Sequence, residues 1–361
     1  KGNSLNVDDL FEKIFSRVKA SELILFTRNL SGMLKAGLSL SRALSVLEKQ
    51  TKNKKFKKII LELINEVDSG GTLSSGLAKY PKVFSHLFVS MTSAGEESGN
   101  LSSSLMEIGM NLTKANNLTK KIKGAMIYPG VIMSAMVLIG ILMFAYVVPT
   151  LAKTFNEIGV ELPSTTKFII SLGNFFSEYL ILSLLLAVGL GVGFFMLFKA
   201  SFMAKYVDFV VLKLPVIGNI SKELNTARTA RTISSLLLAG VSITRAIEIT
   251  ENVVQNVYYK KTLVTVKEKI EQGSPFSLVF SEHTELYPVM MSEMIQVGEE
   301  TGKLSEMLLE IAAFYEEEIE NKTKDLSTII EPILMVVIGG GVGFFAVSMI
   351  TPLYSVLDNI Q

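Results

Sequence analysis

The chain has 361 residues, of which 49% are apolar and only 19% are charged, and its mean hydropathy is +0.41. A soluble domain carries about 25% charged residues, so this composition is typical of a membrane protein. The sequence contains no cysteine. Disulfide bonds and thiolate metal sites are therefore excluded.

The charge deficit is concentrated in three runs that contain no charged residue, over 124–152, 179–198 and 332–357. A hydrocarbon core about 30 Å thick requires roughly 20 helical residues, and each run is long enough. Buried helices of soluble proteins seldom stay uncharged beyond about 14 residues. We therefore predict three transmembrane helices, over 124–152, 179–198 and 329–357.

The distribution of lysine and arginine predicts the orientation of the chain in the membrane. Of 35 such residues, 19 lie in segment 1–123 and 14 in segment 199–328, whereas the loop 153–178 has only two. Basic residues near the ends of spans favour the cytoplasmic side. The two large segments are predicted to be cytoplasmic, with the short loop and a tail over 358–361 on the opposite side.

An internal repeat runs through the chain at a constant offset of 203 residues. Eight of the 18 positions in 27–44 are identical to their partners in 230–247. The same offset aligns the motifs GEESGNL at 95–101 and GEETGKL at 298–304, and it pairs the prolines that lie near the start and end of two spans. We infer two copies of one domain, each followed by a transmembrane helix.

Each copy is predicted to be helical, because apolar residues recur at helical spacing and no segment alternates with period two for long. Gly37 and Gly240 suit the left-handed position after a helix. The residues that follow them, Ser39 or Ser41 and Ser242 or Thr244, are candidate N-caps. The predicted fold is an all-α integral membrane protein with two repeated cytoplasmic helical-bundle domains, 1–123 and 199–328, and three transmembrane helices.

The paired carboxylates of the repeated motif are the most distinctive polar residues. One interpretation is a tight corner between helices, in which Ser98 or Thr301 caps a helix and a glutamate binds backbone donors at the start of the next helix. The alternatives are a docking surface or a cation site. We also expect that the two repeated arginines could pair with these glutamates. The candidate docking or structural residues are Glu96, Glu97, Glu299, Glu300, Arg28 and Arg231.

Two charge clusters accompany the motif, a basic one in the first copy and an acidic one in the second. Solvated faces are the simplest interpretation, and docking to anionic lipid or to oppositely charged partners is the alternative. The clusters are Lys52, Lys54, Lys55, Lys57 and Lys58, and Glu316, Glu317, Glu318 and Glu320.

The charge-free runs contain no aspartate, glutamate, lysine, arginine or histidine, which disfavours a transporter or a proton relay. Their glycines permit close helix packing, either between spans or with a partner's helix, and favour a homo-oligomer. Lipid-facing packing defects are the alternative. The candidate span-packing residues are Gly189, Gly191, Gly193, Gly339, Gly340, Gly341, Gly343, Pro129 and Pro332.

No constellation of residues indicates catalysis. The two histidines, His86 and His283, do not correspond under the repeat, so a zinc site or a histidine-based triad is not predicted. GEETGKL lacks the spacing of a phosphate-binding loop, which needs four residues between its glycines. We predict no enzyme activity, no catalytic or metal-binding residue, no cofactor and no nucleic-acid partner.

The duplicated motifs Ala-Gly-x-Ser and Gly-Glu-x-Ser/Thr-Gly-x-Leu, with a proline at the entry of a span, resemble the type II secretion system F family. The segment 121–129, KIKGAMIYP, is similar to the family's hallmark, and the span that follows it closes with Val-Val-Pro at 147–149. The second copy departs there, with Glu331 in the position of Tyr128. The resemblance extends from about Leu23 to Tyr354.

This resemblance implies a non-enzymatic platform in the bacterial inner membrane, in a type IV pilus or type II secretion machine. In such a platform the cytoplasmic bundles engage a hexameric assembly ATPase, and the membrane part receives pilin-like subunits alongside other inner-membrane assembly components. Two alternatives remain open: a membrane scaffold with no motor partner, and a small-molecule transporter.

Overall fold

The structure, a computed structural model, describes residues 18–158, 164–179, 182, 185–186, 189, 193, 201–215 and 217–358. Its regular structure within these ranges is entirely helical, as the periodicity predicts. Most of the predicted span 179–198 lies outside the described residues.

The described part of the first copy, from residue 18 onward, forms six helices. They are α1 (Ala20–Lys35), α2 (Leu40–Gln50), α3 (Lys54–Asp68), α4 (Leu73–Ala78), α5 (His86–Glu97) and α6 (Leu101–Ala125). The chain continues as α7 (Ile127–Leu142), a π-helical turn (Met143–Val147), α8 (Val148–Ile158), α9 (Ser164–Glu178) and α10 (Ser201–Lys213). The segment that we predicted as a short loop therefore includes α9.

The second copy repeats the first helix by helix. Its helices are α11 (Ile217–Leu238), α12 (Ile243–Val253), α13 (Val257–Glu271), α14 (Phe276–Ser281), α15 (Val289–Thr301) and α16 (Leu304–Asp358). From α12 to α16 every helix begins 203 residues after its counterpart. The offset found in the sequence therefore equals the separation between the starts of equivalent helices.

Turn residues fix these starts. Gly37 and Gly240 have φ angles of 87° and 83°, the predicted left-handed conformation. Asn53 accepts hydrogen bonds from the N–H groups of Lys55 and Phe56, and Asn256 caps the equivalent helix in the second copy. Ser39 and Ser242 occupy the N-cap positions predicted for them, although neither side chain makes a capping hydrogen bond.

The described parts of 1–120 and 208–319 form one compact unit, so the two copies pack together. Across their interface α5 contacts α12. Asn111 of α6 donates a hydrogen bond from Nδ2 to the Ser235 hydroxyl at 2.8 Å, and that hydroxyl donates to Glu107 at 3.0 Å. Within each copy, the first helix is also bonded to the start of the last helix, because the hydroxyls of Ser31 and Ser234 donate to the carbonyls of Ser102 and Ser305.

The second unit comprises the described parts of 121–207 and 320–361. In it α9 packs against the π-helical turn and α8, with Val148 and Ile169 buried between them. The Thr166 hydroxyl donates to the Ser348 carbonyl at 2.8 Å. A Cβ on Gly173 would lie 2.8 Å from the Cβ of Val148, so glycine is required at this contact.

Two described helical stretches are long and apolar enough to cross a membrane, within Leu101–Thr154 and Ile330–Ser348. They coincide with the first and third predicted spans. The placement of 1–123 and 199–328 on the cytoplasmic side and the domain boundaries remain predictions.

Candidate functional site

The first glutamate of each repeated motif binds the start of a short helix within its own copy. Glu96 accepts from the N–H of Leu73 at 2.5 Å and from the N–H and hydroxyl of Ser74 at 3.1 and 2.5 Å. Glu299 makes the same contacts with Phe276 at 2.6 Å and with Ser277 at 3.1 and 2.5 Å. A carboxylate at a helix N-terminus satisfies free N–H donors and interacts favourably with the helix dipole.

This finding supports the structural interpretation of the first glutamate but changes its partner. We expected a glutamate to bind the helix that follows the motif, whereas α4 and α14 precede it. The expected hydroxyl caps are also absent, because Ser98 and Thr301 donate backward to the carbonyls of Gly95 and Val297. Sequence spacing could not reveal this fold-back, which joins residues 22 or 23 positions apart.

The glycines of the motif make the corner tight. A Cβ on Gly95 would lie 2.6 Å from the Cβ of Ser104, and one on Gly298 would lie 2.8 Å from the Cα of Leu304. The last glycine, Gly99 or Gly302, has a φ near +70°, which ends the helix. Each corner therefore fixes the start of α6 or α16.

The second glutamate of each motif is solvent-exposed. Glu97 accepts from the Ser93 hydroxyl at 3.0 Å, and Glu300 accepts from the Gln296 amide at 2.9 Å, both within one helix. These local contacts leave the carboxylates accessible. Of the four motif glutamates, Glu97 and Glu300 are thus the ones bonded only within their own helix, as far as the described residues show.

The predicted pairing of the two arginines with these glutamates is wrong for Arg231. Arg231 instead forms a two-pronged ion pair with Glu316, with Nη2 donating to Oε2 at 2.9 Å and Nε donating to Oε1. Both side chains are only 14% exposed. Arg28 is exposed and has no ion pair within the described part of the chain, because Thr113 occupies the position equivalent to Glu316.

Some residues of the two charge clusters form ion pairs within the chain. In the acidic cluster, Glu316 pairs with Arg231 and Glu320 pairs with Lys121. In the basic cluster, Lys57 pairs with Glu48 at 3.1 Å. The acidic cluster is therefore partly structural, which its sequence did not indicate.

A cavity of about 240 Å³ lies between the two copies. Its wall is mainly apolar, with Leu87, Phe88 and Met91 from the first copy. Arg228 of the second copy lines it, and burial lowers the pKa of this guanidinium below its usual value. Asn111 also lines the cavity, and its Oδ1 is buried without a hydrogen-bond partner.

The packing role of the span glycines and prolines remains a prediction. Within the described part of the chain, a Cβ added to Gly189, Gly193, Gly339, Gly340, Gly341 or Gly343 would meet no atom within 4 Å, and Gly191 lies outside it. Pro129 is buried near the start of α7, and Pro332 lies within α16. Among the described glycines of the second unit, Gly173 does require close approach. The sequence analysis missed it because it lies in the predicted loop.

An apolar cavity of about 490 Å³ lies between α7 and α16 within the second unit. Its wall includes Met136, Phe144, Gly341 and Phe345. None of the described residues that line it is charged. Among the described residues, no group of three or more histidine, aspartate or glutamate side chains is arranged to hold a metal ion.

Comparison with known proteins explains the duplication. The sequence model of the family described as type II secretion system (T2SS), protein F matches residues 26–149 and again residues 229–352. The two matches are separated by the same 203 residues as the repeat. The chain belongs to the type II secretion system protein F family. The resemblance found in the motifs is thereby confirmed.

Relatives in this family match nearly the whole chain. The type IV pilus assembly protein PilC of Thermus thermophilus is 35% identical over 94% of this chain and 84% of its own length. The PilC of Pseudomonas aeruginosa is 33% identical over 95% of this chain and 92% of its own. The type II secretion system protein F of Vibrio cholerae is 31% identical, covering 95% and 84%.

The motif glutamates predict a contrast in stability. Glu96→Gln and Glu299→Gln should each lower the free energy of unfolding by about 1–3 kcal/mol, since a charged acceptor is lost from a helix start. The loss should be larger for Glu299, because Thr72 helps to cap α4 whereas Pro275 offers no side-chain cap to α14. Denaturant titration of the full chain in detergent measures both.

The matched controls are Glu97→Gln and Glu300→Gln, which remove the same charge from exposed side chains. These variants should stay within about 0.5 kcal/mol of the parent chain. Equal losses at both motif positions would contradict the division into a glutamate that caps another helix and a glutamate bonded only within its own helix.

Proposed function

We propose that this chain is a platform protein of the bacterial inner membrane, in a type IV pilus or type II secretion machine. It couples a cytoplasmic assembly ATPase to the insertion of pilin-like subunits into a filament. The double family match carries the proposal, together with relatives that are named for pilus assembly and type II secretion. Both copies lie on the cytoplasmic side, and the chain crosses the membrane three times.

The exposed glutamates support an ATPase contact. Glu97 and Glu300 lie at the two corners that begin α6 and α16. The helical stretch that starts with α6 runs to Thr154, and α16 continues without a break to Asp358, so each leads into a candidate span. A partner that displaces a corner therefore acts on the first turn of a helix whose other end is apolar enough for the membrane.

The apolar cavity between α7 and α16 supports a contact with pilin-like subunits. Its uncharged wall suits an apolar guest helix, and Gly341 lets such a helix approach the backbone. A transporter is disfavoured because the charge-free runs contain no aspartate, glutamate, lysine, arginine or histidine. A scaffold without a motor differs from this proposal in one respect, since it would not bind the ATPase.

Charge reversal at the corners tests the ATPase contact. The double variant Glu97→Lys/Glu300→Lys should bind the purified hexameric assembly ATPase of the same organism about tenfold more weakly, because like charge opposes docking. Filament assembly in cells should fall in parallel.

The control is Glu62→Lys, which makes the same substitution at one exposed site of α3, outside both motifs. It should leave both binding and assembly unchanged. ATPase binding and filament assembly that survive in the corner variant would exclude docking through Glu97 and Glu300, and an ATPase that does not bind the parent chain would favour the scaffold.

Filling the apolar cavity tests the pilin contact. Gly341→Leu should reduce filament assembly several-fold, because leucine occupies the space proposed for the guest helix, while ATPase binding should not change. Gly339→Leu is the matched control, since Gly339 does not line the cavity. Normal assembly by Gly341→Leu, or an equal defect in the control, would contradict a guest helix at this position.

A further inference from the structure

The two copies use different faces to contact each other. We define face A by residues of α11, α16, the end of α12 and the segment after it. Face B is defined by residues of α5 and α6 and by the residue that precedes α5. In the observed interface the second copy contributes face A and the first contributes face B. Face A of the second copy comprises Ala227, Arg228, Arg231, Val253, Gln255 and Glu316, and face B of the first comprises Ser85, Leu87, Met91, Asn111, Leu112 and Ala115.

Among the described residues, this arrangement leaves one face of each kind without a contact to the other copy. The offset of 203 residues places face A of the first copy at Ile24, Leu25, Arg28, Gln50, Lys52 and Thr113. Face B of the second copy falls at Pro288, Met290, Met294, Phe314, Tyr315 and Glu318. A contact between non-equivalent faces is heterologous, so it does not satisfy both copies at once.

Each unused face carries an exposed apolar residue, although Tyr315 on face B of the second copy is only 6% exposed. Leu25 is 61% exposed on face A of the first copy, and Phe314 is 43% exposed on face B of the second. Arg28, Gln50 and Lys52 are exposed as well. In the observed interface, face A of the second copy and face B of the first copy lie against each other. Each unused face therefore has a counterpart in the same chain that is covered.

The sequence differences between the copies are complementary across such a contact. Where the observed interface pairs Asn111 with Ser235, the equivalent positions hold Phe314 and Gly32. Gly32 is exposed, and a Cβ there would meet no atom within 4 Å. A large aromatic side chain thus faces a residue that leaves room for it.

The charges on the two unused faces are complementary as well. Arg231 and Ala115 line the same cavity between the copies, and their equivalents are Arg28 and Glu318. Arg28 lacks the acidic partner that Arg231 finds in its own copy, because Thr113 replaces Glu316. At an equivalent interface Glu318 and Arg28 line the same cavity, so the glutamate supplies an acidic charge on the side opposite the arginine.

We propose that this chain associates with a second copy of itself head to tail, through face B of the second repeat of one molecule and face A of the first repeat of the next. Phe314 packs over Gly32, and Glu318 pairs with Arg28. The contact repeats the geometry of the interface within each chain. This proposal requires neither the ATPase nor pilin-like subunits, so its success or failure is independent of the proposed function.

The absence of cysteine from the chain allows a direct test by disulfide formation. One full-length chain carries Gly32→Cys with one tag, and another carries Phe314→Cys with a second tag. When both are expressed in the same membranes, mild oxidation should join them into a two-tag dimer. Neither chain should form that product when expressed alone.

The matched control replaces Gly32→Cys with Leu61→Cys, an exposed position outside face A. This pair should give no dimer although both thiols react with maleimide. The proposal is overturned if the Gly32→Cys and Phe314→Cys chains, with both thiols reactive, give no mixed dimer. It is also overturned if each chain forms a dimer with itself in preference to the mixed product.

A charge swap tests the ion pair without relying on cysteine packing alone. In the cross-linking pair, Arg28→Glu on the first chain or Glu318→Arg on the second should lower the yield of mixed dimer about tenfold. Combining the two substitutions should restore it. Failure of the combined swap to restore the yield would exclude a direct contact between Arg28 and Glu318.

Discussion

The hydrogen bonds that meet at Ser235 join the two halves of the chain. Asn111 donates to the Ser235 hydroxyl, which donates in turn to Glu107, and these contacts connect residues 124 and 128 positions apart. They lie in an interface that makes one compact unit from two copies of a domain. Both corners with exposed glutamates therefore belong to the same unit, although they are distant in sequence. Without this interface the chain would contain two separate bundles.

Within this unit the two copies have equivalent helices but different side chains in their cores. The first has an aromatic cluster of Phe26, Phe56 and Phe84, whose ring centroids lie 5.3–6.4 Å apart. The second has Thr229, Tyr259 and Tyr287 at these positions, and the added hydroxyls bond one another or a carbonyl. Burial raises the pKa of Tyr259 and Tyr287, so both stay neutral and remain hydrogen-bond donors. Coordinated changes of this kind preserve packing while the surfaces diverge.

Much of the architecture was predictable because it depends on local patterns. The offset of 203 residues predicted equivalent helices, the charge-free runs predicted two helices that the structure describes, and Gly37 and Gly240 predicted left-handed turns. The partners of Arg231 and Glu96 were not predictable, since each pairs across the fold with a residue that no local spacing identifies. The helix α9 and the role of Gly173 were missed because a short polar segment between spans was interpreted as a loop.

A double-mutant cycle on Asn111 and Ser235 tests the interface between the copies most directly. The free energy of unfolding of the full chain in detergent is measured for Asn111→Ala, Ser235→Ala and the double variant. If the copies pack as described, the two effects are coupled by about 0.5–3 kcal/mol, with the double variant less destabilised than the sum of the single ones. Effects that add within about 0.5 kcal/mol would contradict the contact, and with it the single unit formed by both copies.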